Sequence, residues 1–159
     1  MKLQDWPILV VSLLAPLAAG GLGGIATAGA IPTWYRTLNK PPWNPPGAVF
    51  GPVWTLLYIL MGVALFLVWR RGWATPGVQP AVLLFAAQLV FNLLWSVVFF
   101  GLHSPGGALV NIAILWLLIV ATIVAFFRLD AWSGVLMLPY IAWVTFASVL
   151  NATIWSLNR

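Results

Sequence analysis

Gln88, Asn92, Trp95 and Phe99 follow one another at steps of four, three and four, so a helix would carry them on one face. Trp54 and Tyr58, four apart, would share a second face. Trp143, Ala147, Leu150, Asn151 and Ile154 would share a third. Aromatic stripes on three helices, with a few amides among them, describe an apolar pocket for a flat hydrophobic ligand. The amides have a plainer reading as glue between helices. In lipid each must find a partner, so Gln88, Asn92, Asn111 and Asn151 are expected to point inward on either reading.

Polar catalysis lacks its parts. The 159 residues include two acidic side chains, Asp5 and Asp130, one histidine and no cysteine. That composition excludes a thiol nucleophile, a disulfide framework and a Cys-based metal site. A single imidazole cannot build a zinc or haem site from several histidines. No metal and no required cofactor are therefore expected. His103, in a short Ser-Pro loop, reads as structural rather than catalytic. Both carboxylates fall at segment ends, so general acid–base pairs, serine triads and the mid-membrane charges of a pump are all missing.

The elements that carry these stripes are membrane helices. The chain is 63% hydrophobic and 6% charged, and so few charges cannot cover a soluble domain of this size. Its basic residues are scattered and form no patch for nucleic acid. Five apolar segments of spanning length are expected, at about 6–28, 46–69, 80–101, 105–127 and 131–155. The fold class is thus an all-α membrane protein: a five-helix bundle, read as one domain over 1–159.

The first segment is too long for a signal-peptide core and is read as retained. Its small residues, Ala15, Ala19, Gly23 and Thr27, with Gly20, Gly24 and Ala28, permit close helix approach, either within the subunit, which is the favoured reading, or at a dimer interface. Pro80 is expected at the first position of the third span, Ser104 and Asp130 as helix caps, and Pro139 as a kink in the fifth. Lys2, Arg70, Arg71 and Arg128 fall on one side, and Arg36, Lys40 and Arg159 on the other. That split leans only slightly to a cytoplasmic N-terminus. Trp6, Trp34, Trp43, Trp69, Trp73, Trp132 and Trp155 lie near segment ends, as an interfacial belt would. Trp54, Trp95 and Trp143 lie deeper and are assigned to the pocket, and Trp116 to the lipid face.

Between the first two spans, Pro41, Pro42, Pro45 and Pro46 forbid helix and stiffen a loop rich in aromatics. Such a loop, feeding straight into the second span, suits a lid.

Trp34-Tyr35, then Leu38-Asn39-Lys40-Pro41-Pro42-Trp43-Asn44-Pro45-Pro46, Gly51-Pro52-Val53-Trp54 and Leu57-Tyr58 resemble the signature of the TspO/MBR family. The likeness continues through Gln88-Leu89, Asn92, Trp95, Phe99-Phe100-Gly101, Pro139-Tyr140, Ala142-Trp143 and Leu150-Asn151, and covers essentially the whole chain. These are the tryptophan-rich sensory proteins of bacteria and the translocator protein, or peripheral-type benzodiazepine receptor, of mitochondria. The resemblance implies a dimeric five-helix protein in the bilayer, with a structured first loop over a central pocket. Its implied ligands are tetrapyrroles such as protoporphyrin IX, haem-type molecules and hydrophobic drug-like compounds.

Carried over by position, Trp34 and Trp43 belong to the lid. Trp54, Tyr58, Asn92, Trp95, Trp143, Phe146, Ala147 and Leu150 line the pocket. The implied role is sensory or regulatory, in stress. Light-dependent porphyrin degradation through Trp54 and Trp143, or tetrapyrrole transport, are the alternatives. Two departures stand out. The Val149–Arg159 segment lacks the tyrosine of the sterol motif, and Gly107 stands where animal members carry a pocket tryptophan. The short C-terminus resembles bacterial members, which implies a bacterial cell envelope.

Overall fold

A computed structural model describes residues 5–159; Lys2, used above to weigh orientation, lies outside the described residues. The helices are α1 (Asp5–Ala28), α2 (Trp34–Thr37), α3 (Gly47–Trp69), α4 (Val78–Ser96), α5 (Pro105–Leu129), α6 (Ala131–Leu136) and α7 (Leu138–Leu157). A π-helical turn, Val97–Gly101, continues α4, and α6 with α7 forms the last span. Five spans are long and apolar enough to cross a bilayer. The chain is a multi-pass integral membrane protein.

Caps and breaks follow local chemistry. The Gly107 N–H donates to Ser104 Oγ (3.3 Å) at the start of α5, and the Ser133 N–H to Asp130 Oδ1 (3.0 Å) at the start of α6. Two expectations need correction. The helix α4 opens at Val78, two residues before Pro80, because Gly77 turns the chain with φ of 90° and seats Val78 in the core. Pro80 still falls in the first turn, where its missing N–H would have had no helical partner. Nor does Pro139 bend a continuous helix. The last span breaks at Met137, and Pro139, with no N–H for the Val135 carbonyl, occupies the first turn of α7.

Consecutive spans run antiparallel, with α1 between α3 and α4, α5 between α4 and α7, and α6 closing onto α3. The core is apolar: Met61, Ala64, Phe85, Leu115, Ile119, Phe126 and Val144 fill the space between spans. Gly62 is where α1 and α3 come closest. A Cβ there would lie 2.8 Å from the Ser12 carbonyl oxygen and 2.9 Å from Leu13 Cα. Only hydrogen allows that crossing. Gly20 similarly gives way to the Tyr58 ring. Gly20 and Gly23 of α1 thus serve contacts within the subunit, whereas a Cβ at Gly24 would meet nothing within 4 Å.

At the end of the bundle away from the lid, Arg71 Nη2 donates to Asp130 Oδ2 (3.0 Å) and ties the α3–α4 turn to the α5–α6 turn. Partial burial pushes the Asp130 carboxyl up. The Arg71 hydrogen bond, the Ser133 N–H and the Arg71 charge outweigh it, so its pKa falls below the ordinary 3.8.

Gly62→Ala is expected to destabilise the protein by about 1–3 kcal/mol, since backbone must shift. Gly51→Ala, whose Cβ meets open space, should be neutral or stabilising. Thermal unfolding of both variants in detergent checks the opposite signs. The Arg71–Asp130 pair should contribute fully above the ordinary carboxylate value and be lost as pH falls through the lower, folded one. Being partly exposed, it should be worth under about 1 kcal/mol. Unfolding temperature measured against pH should show an acid limb that is shallower in Asp130→Asn.

Candidate functional site

The polar groups of the three striped helices meet in one ladder. Tyr58 Oη of α3 donates to Asn92 Oδ1 of α4 (2.8 Å), Asn92 Nδ2 donates to Tyr140 Oη of α7 (3.0 Å), and Tyr140 Oη donates to Gln88 Oε1 (2.9 Å). All four are buried. A second set lies nearer the lid: Trp95 Nε1 donates to Asn151 Oδ1 (3.0 Å), and Asn151 Nδ2 to the Pro105 carbonyl (2.8 Å). Asn111 Nδ2 reaches the Phe91 carbonyl (2.9 Å). Every amide expected to point inward does so. Each draws two helices together in a medium that offers no competing water.

Above the ladder lies a cavity of about 590 Å³, within the range of small-molecule sites. Its walls come from α1, α3, α4 and α7, and its cover from the first loop through Tyr35, Asn44 and Pro45. Seven of the residues assigned to ligand binding line it: Trp54, Tyr58, Asn92, Trp95, Trp143, Ala147 and Leu150. Trp54 stacks on Tyr58 (5.4 Å, 27°) and meets Tyr140 edge-on, while Trp95 stacks on Phe99 (5.2 Å, 28°). Trp143 is different. Its indole N–H is buried and has no hydrogen-bond partner among the described residues. A buried donor left unpaired is costly, and Ser12 Oγ and Gln88 Nε2 share that state among the described residues.

The other three assigned residues stand behind the wall. Trp34 stacks on His103 (4.5 Å, 18°) and packs edge-on against Phe99. That stack gives His103, at φ of 51°, a structural place. Trp43 meets Phe146 edge-on (5.9 Å), and Phe146 meets Trp143 (5.4 Å). Trp116 lies outside the cavity, exposed on α5, with its N–H donated to Thr145 Oγ1 (2.9 Å).

The lid is held at several points. Tyr35 Oη donates to Asn44 Oδ1 (3.2 Å), and Lys40 Nζ sits 4.6 Å from the centre of the Tyr35 ring. Burial raises the Tyr35 pKa, only partly offset by the Asn44 hydrogen bond, so its hydroxyl stays a donor at neutral pH. Asn39 N–H donates to Asn158 Oδ1 (2.9 Å), while Asn158 Nδ2 donates to the Asn39 carbonyl (2.9 Å). This reciprocal pair fastens the loop to the end of α7.

Sequence reasoning missed several lining residues. Phe50 stands four before Trp54 on the same stripe, and the spacing that found Trp54 and Tyr58 would have found it; it packs edge-on to Trp143 (5.9 Å). Gly21, Gly24 and Thr27 line the cavity from α1. A glycine leaves no chemical mark by which a pocket wall could be told from a packing seam.

Comparison with known proteins now decides the family, because the TspO/MBR family model matches residues 12–156. The chain belongs to the TspO/MBR family. A "Tryptophan-rich protein TspO" of Chlorobaculum tepidum is 49% identical over 142 residues, 89% of this chain and 90% of that protein. A "Tryptophan-rich sensory protein" of Cereibacter sphaeroides is 43% identical over 158 residues, 98% of this chain and 94% of that one. The "Translocator protein" of Bos taurus is 35% identical over 156 residues, covering 97% and 92%. Bacterial, archaeal and animal relatives thus align with nearly the whole of this TspO/MBR chain.

Because Asn92 serves both tyrosines, Asn92→Leu should cost about 1–3 kcal/mol by orphaning the buried Tyr58 hydroxyl and removing a donor from Tyr140, which keeps its bond to Gln88. Tyr58→Phe, which keeps the Trp54 stack, should cost less. Thermal unfolding of the two variants in the same detergent checks the order.

Proposed function

We propose that this TspO/MBR protein binds a flat hydrophobic ligand of the tetrapyrrole class, such as protoporphyrin IX or a haem-type molecule, in the cavity beneath the first loop. Drug-like aromatic compounds are ligands of the same site, and the role is sensory or regulatory. The observation that carries the reading is the wall itself. Trp54, Trp95 and Trp143 supply broad aromatic surface around about 590 Å³. Such a site suits a planar, mostly apolar molecule. The cavity reaches from the lid to the Tyr58–Asn92 ladder near mid-span, which favours retention of a ligand over its passage across the bilayer.

A second reading rests on Trp54 and Trp143 lining the cavity together. An indole beside a photoexcited porphyrin can give up an electron, so light-dependent degradation would use these two residues without acid, base or metal.

Titration of the purified protein with protoporphyrin IX in the dark should quench tryptophan fluorescence to saturation. Trp143→Phe should weaken the affinity about ten-fold through loss of part of the ring. Illumination should then bleach the bound porphyrin no faster than porphyrin in empty micelles. Faster bleaching that depends on Trp143 would establish the degradative reading. Non-saturating quenching, identical in the variant, would overturn the binding site.

A further inference from the structure

The cavity has one wall unlike the others. Between α3 and α7 the seam is filled by rings, with Phe50 against Trp143, Trp143 against Phe146, and Phe146 against Trp43. Toward water the lid is fastened by the Asn39–Asn158 pair and the Tyr35–Asn44 hydrogen bond. Toward α4, Gly23 lies close to Ser96, where a Cβ would come within 3.0 Å of its Oγ. The seam between α1 and α3 has no such filling above its crossing.

Those two helices touch at Gly62 with Ser12 and Leu13, and again where Gly20 meets the Tyr58 ring. Continuing the same antiparallel register brings Gly24 level with Gly51 and Ile31 level with Gly47. A Cβ at Gly24, Gly47 or Gly51 would meet nothing within 4 Å, yet all three glycines line the cavity. All three are exposed, and an exposed stretch of cavity wall that carries no side chain marks its mouth. That mouth lies within two membrane-spanning helices, so acyl chains meet it rather than water. Pro52, next to Gly51, has no N–H for the Ala48 carbonyl, and the turn of α3 at the edge of the mouth is therefore loosely bonded.

We propose that the cavity opens sideways into the bilayer between α1 and α3, and that its ligand is a lipid-dissolved molecule admitted through this glycine-edged slot beneath a closed lid. The proposal deepens the tetrapyrrole reading and rests on it for the identity of the ligand, but not for the opening. A molecule taken from the bilayer arrives already desolvated, concentrated by partition, and edge-first. A flat ring fits a slot whose edges carry no side chains. The class of ligand is thereby narrowed to planar amphiphiles that partition into lipid.

The test uses the full chain in phosphatidylcholine vesicles loaded with protoporphyrin IX. Gly24→Leu with Gly51→Leu should slow both uptake and release, followed by tryptophan quenching, by about ten-fold. A simple loss of affinity would instead speed release. Asn158→Ala, which unfastens the lid, should change the uptake rate less than about two-fold. Uptake unaffected by the leucines and accelerated by Asn158→Ala would overturn the proposal in favour of access from water.

A second measurement needs no porphyrin. The chain lacks cysteine, so a nitroxide can be attached at Ala147→Cys alone, on the α7 wall of the cavity. Molecular oxygen dissolved in lipid should relax it strongly and a water-soluble nickel chelate weakly, and the two leucines should suppress the oxygen effect. Relaxation by nickel instead, or oxygen relaxation indifferent to the leucines, would sink the slot even if porphyrin binds. Failure of the wild-type protein to take up porphyrin, with the oxygen result intact, would remove the proposed ligand and leave the opening.

Discussion

Three helices meet on one asparagine. Asn92 accepts from Tyr58 and donates to Tyr140, which in turn donates to Gln88. In hydrocarbon a lone amide or hydroxyl has nowhere else to turn, so this ladder is satisfied only when α3, α4 and α7 stand at one depth and one rotation. Hydrophobic packing alone would not set that register, because a leucine gains little by leaving lipid for a protein interior. The cavity exists because the ladder holds the helices together at mid-span while bulky rings and the lid prop them apart above it. The same residues thus serve as floor and fastening.

The close crossing at Gly62 plays the matching part on the other side. It brings α1 against α3 low in the bundle. A bundle closed along its whole length would have no cavity. One without the crossing would lose α1.

Much of this was legible in the sequence because membrane helices simplify reading. Spans announce themselves by length, and Asn92, Asn111 and Asn151, being too polar for lipid, could only point inward. The faces drawn from spacing proved sound: Trp143, Ala147, Leu150, Asn151 and Ile154 all reach the cavity. Where spacing failed, the reason was geometric. Gln88 shares the face of Asn92 but lies one turn deeper, beyond the floor, and bonds Tyr140 instead of lining the space. Trp34, Trp43 and Phe146 brace the wall from behind, and their position depends on the loop's path, which prolines stiffen but do not aim. The break at Met137 was read as a kink because a proline in the first turn of a new helix and one within a bent helix leave the same mark on a hydropathy pattern. The glycines of α1 were recognised as small without being separable into those that touch and those that leave a gap.

The asparagine pair that fastens the lid joins positions 119 residues apart. During synthesis the first loop is therefore made long before the residue that secures it. At about 5–20 residues per second the wait is roughly ten seconds, longer still if insertion into the membrane is slower than translation. Throughout that interval α1 and α3 can already have found their crossing, while the loop above them has no anchor at the end of α7. The cover is thus among the last parts of the molecule to be completed, and a nascent chain passes through a stage in which its aromatic wall is unfinished and its roof is loose.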